Sequence, residues 1–240
     1  MTAHLAFVLI HGAWHDGSLW EPVASHLRTE GHVVHTPTVA GFGSGASTDV
    51  SHADGVTSIV RYIEQHDLTH IVLLGHSFGG TIVSKVAEAM PERIRRLVYW
   101  NAFVLEDGHS INDESPVVYR ELMLATAIDG TFSLPWTLWR ERFLNDADES
   151  TARAAFEKLC PTPLAMLEDK VDLNADCGGD PALFVSQLLG RHRHAAGRVR
   201  MVTALPRTPR PLSPRSDARE SRGAFHATRR PGGQVRRSRA

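Results

Sequence analysis

The 240-residue chain has two cysteines, no long apolar run and, after residue 190, no lysine. Cys160 and Cys177 supply neither a disulfide framework nor a metal-ligand pattern, so a reducing cytoplasm is the expected compartment. No window approaches the ~18 consecutive apolar residues of a membrane helix, and no membrane partner is expected. The opening MTAHLAFVLIHG lacks the basic n-region and long apolar h-region of a signal peptide. No internal repeat is apparent.

What is present suits a soluble globular protein: 42% hydrophobic and 22% charged residues, in a length that fits one large domain or two small ones. The net charge of −1 hides a division along the chain. Residues 1–190 hold 12 Lys+Arg against 25 Asp+Glu, whereas residues 191–240 hold 14 Arg against two acids. Such a split can mark a nucleic-acid-binding tail. Here neither lysine nor aromatic stacking residues accompany the arginines, so no nucleic-acid partner is expected.

Apolar runs alternate with segments of helical periodicity. LAFVLI (5–10), HVVHTP (32–37), HIVLLG (70–75) and RLVYWNAFV (96–104) read as buried strands. Between them, 18–31 carries Trp20, Val23, Ala24 and Leu27 at helical spacing, with Ser18 and Glu21 at capping-box spacing and Gly31 at a helix C-terminus. Val56, Ile59, Val60 and Ile63 share a second helical face, and Ile82, Val83, Val86 and Met90 a third, stopped by Pro91. Continuously apolar strands alternating with helices predict an α/β fold with a parallel sheet covered on both faces. Residues 110–185 read instead as aromatic-bearing helices forming a lid over the carboxyl edge of the sheet. The expected division is therefore a core over 1–109, a helical lid over 110–185, and an atypical Arg/Pro-rich remainder of the core over 186–240.

Gly75-His76-Ser77-Phe78-Gly79 follows a strand and opens a helix, the context of a nucleophile elbow. The serine needs a tight strand-to-helix turn to project its Oγ, and flanking glycines remove side chains that would collide there. The following helix points its N–H groups toward developing negative charge. LIHGAWHDG (9–17), after the first strand, is placed to supply the other half of an oxyanion hole, with the Ala13 N–H paired to the Phe78 N–H. A backbone donor makes His11 unnecessary as a catalyst, and it reads as a structural histidine. His76 and Trp14, with Trp136 and Trp139 of the lid, are candidate substrate contacts. Aromatics at helical spacing more often describe plain lid core. An apolar lid over a serine favours a small hydrophobic or aromatic ester.

The motifs FVLIHGAW and LLGHSFGG, with YWNAFVLEDGHSI after the fourth strand, resemble the α/β-hydrolase superfamily, and within it the plant methylesterase and hydroxynitrile-lyase group with related bacterial esterases. The resemblance implies acyl transfer through Ser77 without metal or organic cofactor. Lyases of that group carry threonine at the position of Gly12 and glutamate at that of His76; the glycine and histidine here are the hydrolase choice. Some similar bacterial esterases act on benzimidazole carbamates, which keeps carbamic esters among the candidate substrates. A non-catalytic small-molecule binder is the competing class. A homodimer is the one assembly considered.

The resemblance also implies a triad ordered Ser, Asp, His, with the acid after a late strand. ALPRT (204–208) looks like the lead-in to that strand, but the text after it has four prolines and neither a β-branched run nor a helical face. Three readings are open: a basic tail, a divergent C-terminus that still delivers a histidine, and a change of reading frame between about 190 and 209. By order His226 is the candidate base and Asp217 the candidate acid, although only nine residues separate them. Glu106 or Asp107, at the end of the fourth strand, is the alternative acid. RHRH (191–194), with His192 and His194, reads as charged surface rather than a metal site, and CGGD (177–180) follows no strand that would make it a dinucleotide loop.

Overall fold

The computed structural model describes residues 4–173 and the backbone of the strand Leu183–Ser186. Strand β1 (Ala6–Ile10) leads through a 3-10 turn (Gly17–Trp20) into α1 (Glu21–Thr29), and β2 (Val33–His35) leads into α2 (His52–Gln65). Strand β3 (Ile71–His76) is followed by α3 (Gly79–Ala89), then β4 (Ile94–Trp100). Five parallel strands, the last being β7 (Leu183–Ser186), lie in the order β2-β1-β3-β4-β7. This is the expected α/β architecture.

The order reverses direction between β1 and β3: the chain moves outward to β2, then returns to build β3, β4 and β7 on the other side. Ligands of open α/β sheets bind outside the carboxyl ends at such a switch point. Pairing of Ile10 with Gly75 sets the loop after β1 beside the turn after β3. Both motifs singled out in the sequence thus meet at one place.

Local chemistry explains the element ends. Helix α2 starts at a reciprocal Ser51–Asp54 capping box, and Gly31 follows α1 at φ 87°. The capping box expected from Ser18 and Glu21 does not form. Asp16 accepts from the Ser18 N–H at 2.8 Å and starts the 3-10 turn, so α1 begins only at Glu21, with Pro22 in its first turn. The second strand is shorter than expected and lies at the sheet edge, with Val33 exposed. The fourth strand stops at Trp100 because Asn101 turns to φ 46°.

The core forms where the apolar faces of α2 (Ile59, Ile63) and α3 (Ile82, Val83, Val86) cover Val8, Ile10, Ile71 and Leu73; a smaller cluster of Leu9, Trp20, Ala24 and Val34 covers the opposite face. Removing such side chains from water stabilises by roughly 1.5–3 kcal/mol each.

The lid is a chain of short pieces: α4 (Ile111–Glu114), α5 (Val117–Thr126), β5 (Thr131–Phe132), α6 (Trp136–Arg142), α7 (Glu149–Phe156), β6 (Thr162–Pro163) and α8 (Ala165–Glu168). β5 and β6 form an antiparallel ribbon absent from the helical expectation. The two ends of the lid meet: the Gly108 N–H donates to Val171 O, the Val171 N–H to His109 O, and the Leu173 N–H to Asp107 Oδ1, all within 2.9 Å. The sheet resumes at β7, inside the range the sequence assigned to the lid. Four residues, LFVS, are too short a run to stand out from their surroundings.

Candidate active site

Ser77 sits between β3 and α3 at φ 51°, a left-handed conformation that strains a non-glycine residue by roughly 1–2 kcal/mol. Three hydrogen bonds hold it there. Its N–H donates to Asn101 O at 3.2 Å, and its carbonyl accepts from the Phe103 and Gly80 N–H groups at 3.0 Å. The turn is too tight for side chains on its flanks. A Cβ at Gly75 would lie 2.5 Å from Gly79 O, and one at Gly79 would lie 2.6 Å from His11 O. Phe78, buried, is the N-terminal flanking residue of α3, and its carbonyl accepts from the Thr81 N–H at 2.9 Å and the Thr81 hydroxyl at 3.0 Å. That hydroxyl in turn lies 2.8 Å from Nε2 of buried His52. Because Thr81 spends its proton on Phe78 O, His52 is the donor and carries hydrogen on Nε2.

The facing loop is fixed from behind by His11, fully buried. Its Nε2 accepts from the Val39 N–H at 3.0 Å, which places the ring hydrogen on Nδ1, 2.9 Å from Gly12 O. Burial pushes its pKa down to about 4, so it stays neutral, as a structural histidine should. Ala13 is buried next to it, with its carbonyl 2.7 Å from His15 Nδ1. Trp14 follows at φ 62°, a strained value for a bulky residue. Its N–H donates to Thr162 Oγ1 at 2.8 Å and its carbonyl accepts from the Cys160 N–H at 2.8 Å, while its indole stands edge-on to Phe132 and Phe143. Among the described residues the buried Trp14 indole N–H has no partner.

The His76 ring packs against Trp100 (centroids 5.0 Å apart) and Trp20 (6.2 Å), and its buried Nδ1 has no partner among the described residues. Burial, with the charge of His15 second, lowers its pKa to about 4. The two lid tryptophans separate. Trp139 is buried, donates from Nε1 to Ala152 O at 3.1 Å and stacks on Phe143, which links it to Trp14. Trp136 packs against Phe156 and beneath the Arg153 guanidinium, a lid-core position.

His226 and Asp217 lie outside the described residues, as do His192, His194 and Cys177. Glu106 and Asp107 lie six and seven residues beyond the end of β4 at Trp100, not at it, and the Asp107 carboxylate is engaged by the Leu173 N–H. Sequence reasoning missed Asn101, Thr162 and the His52–Thr81 pair. Partners 24 to 148 positions apart leave no local signal; only the Ser51 cap, one residue before His52, could have drawn notice.

The chain is similar to several known proteins. A carbendazim hydrolyzing esterase of a Nocardioides strain is 41% identical over 108 residues, 44% of this chain and 45% of that protein. Methylesterase 1 of Arabidopsis thaliana is 29% identical over 111 residues, 43% of this chain and 41% of that protein. The matched stretch thus spans less than half the length of these curated relatives. A solved extracellular alpha/beta-hydrolase from a Paenibacillus species superposes with a TM-score of 0.74 at 36% identity, covering 77% of each chain. With the alpha/beta hydrolase family matching residues 7–235, the chain belongs to that family.

Proposed function

We propose that the protein hydrolyses carboxylic or carbamic esters of small hydrophobic or aromatic molecules, through an acyl-enzyme on Ser77. The observation that carries this reading is the left-handed turn holding Ser77 between β3 and α3. Strain of this kind persists where surrounding structure over-determines it, and it clusters at reacting groups. Oγ attacks the ester carbonyl carbon while its proton passes to a histidine. The carbonyl oxygen becomes an oxyanion, met by the Ala13 and Phe78 N–H groups. Collapse expels the alkoxide, which takes the proton, and water repeats the sequence to free Ser77. His226 is the histidine proposed by chain order, with Asp217 to orient it. Trp14, Trp136 and Trp139, with His76 beside the serine, are the proposed substrate contacts. The carbamate alternative draws support from the likeness to the carbendazim hydrolyzing esterase.

Fluorophosphonate labelling tests the proposal, with adduct mass mapped to its peptide in the wild type and in Ser77→Ala and His226→Ala variants. Label on Ser77 that is lost with His226→Ala, together with p-nitrophenyl ester hydrolysis abolished by Ser77→Ala, is the expected result. A wild type that takes no label while binding small aromatics would establish a binder rather than a hydrolase.

A further inference from the structure

The two residues proposed as oxyanion donors follow different strands, β1 and β3, yet both are tied to one stretch of the lid. On the β1 side, buried Thr162 accepts the Trp14 N–H at 2.8 Å and the Cys160 N–H reaches Trp14 O at 2.8 Å. Trp14, the residue immediately after Ala13, is therefore held at both its N–H and its carbonyl, and its strained φ is kept in place. On the β3 side, Asp169 Oδ2 accepts the His52 N–H at 2.8 Å, His52 Nε2 donates to Thr81 Oγ1, and Thr81 donates to Phe78 O. His52, Thr81, Phe78 and Thr162 are all buried.

These contacts are neither local caps nor packing alone. Three of them satisfy a backbone group of Trp14 or Phe78, and the other two, Asp169 to the His52 N–H and His52 to Thr81, extend the Phe78 contact to the return segment. An oxyanion donor works only when its N–H is held in place before charge develops, so a misplacement of about 1 Å can lower the rate ~100-fold. The lid segment 160–169 is otherwise a two-residue strand and a four-residue helix, too short to be stable alone. Its anchorage at both ends to the site is what gives it, and the donors, a defined position.

We infer that the lid's return segment, Cys160 to Asp169, is the positioning element of the oxyanion hole, with Thr162 setting the Ala13–Trp14 turn and Asp169 setting Phe78 through His52 and Thr81. The inference rests on the ester-hydrolase reading above. Thr162 is a positioning residue: it acts through Trp14 and touches no reacting atom.

The test compares Thr162→Val, which keeps shape and loses the acceptor oxygen, with Thr162→Ser, which keeps the oxygen. Asp169→Ala, at a half-exposed position, serves as the second variant should Thr162→Val fail to fold. Two readouts are taken on the full chain: p-nitrophenyl ester kinetics, and amide hydrogen exchange of peptides covering 11–16 and 51–53. Thr162→Val should lower kcat about 10- to 100-fold with KM unchanged and speed exchange in 11–16. Thr162→Ser should restore both. Asp169→Ala should lower kcat about 2- to 10-fold and speed exchange in 51–53. Wild-type kcat in Thr162→Val, or equal losses in Thr162→Val and Thr162→Ser, would overturn the proposal. A wild type that neither hydrolyses nor labels would overturn the ester-hydrolase reading instead, and with it the catalytic half of this inference; unchanged exchange in Thr162→Val would overturn the positional half.

Discussion

Gly12 and Ser77 touch across the switch point of the sheet: a Cβ on Gly12 would lie 3.1 Å from the Ser77 Cβ and 3.0 Å from His76 Nδ1. Neither neighbour can retreat. Ser77 is held by three backbone hydrogen bonds, and the His76 ring is packed against Trp20 and Trp100. Gly12→Ala should therefore fold and yet react with a fluorophosphonate roughly 10-fold more slowly, because the methyl group displaces the serine side chain. Labelling at the wild-type rate would show that the turn has slack.

The left-handed φ of Ser77 separates stability from activity. Ser77→Gly and Ser77→Ala both remove the proposed nucleophile, but only glycine adopts φ 51° without strain. Denaturation in urea should find Ser77→Gly the more stable of the two by about 1 kcal/mol. Equal midpoints would mean that the strain is relieved elsewhere in the turn.

Two buried histidines, His11 and His52, and half-buried His76 give the protein an acid limit. His11, His52 and His76 are each held near pKa 4, mainly by burial, against an ordinary value of 6.5. The unfolded chain binds protons that the folded one refuses, so stability is full above about pH 6.5 and falls as pH drops toward 4. The slope approaches about 1.4 kcal/mol per pH unit for each histidine. For His52 the opposing charges are Asp169, which raises its pKa, and Lys85, which lowers it. His52→Gln, which can still donate to Thr81, should flatten the slope of unfolding free energy between pH 6.5 and 4 by about one proton. An unchanged slope would assign the acid sensitivity to other groups.

Trp14 carries a buried indole N–H without a partner among the described residues, while its ring makes edge contacts with Phe132 and Phe143. Trp14→Phe keeps an aromatic ring and removes the stranded donor. It should leave stability equal or raise it by about 1 kcal/mol. A loss of more than about 1 kcal/mol in the denaturation midpoint would show that the N–H is satisfied in solution.

The sheet was legible in the sequence because its strands are apolar throughout and its helices carry single apolar faces. LAFVLI, HIVLLG and the Ile59–Ile63 face needed no tertiary information. The elbow was legible for the same reason, since Gly75, Ser77 and Gly79 mark a turn that only a strand before and a helix after can use. Hydrogen-bond competition was less visible: Asp16 won the cap that Ser18 seemed placed to supply. The lid was read as helical but not as seven pieces, although Pro116, Pro135 and Pro163 stand at its breaks. Least legible were Thr162 and Asp169, whose bonds to Trp14 and His52 span 148 and 117 positions. No periodicity records such a partnership; only folding brings it about.

The paired ends of the lid have an evolutionary reading. Residues 107–109 and 171–173 are stitched by three hydrogen bonds, so the chain leaves the core and rejoins it at almost one point. An insertion with coincident ends can be exchanged as a cassette without moving the strands beneath it. The Thr162 and Asp169 bonds set the terms of any such transplant. A graft that brings new aromatic walls without an acceptor for the Trp14 and His52 amides would change what is admitted and loosen the place where it reacts.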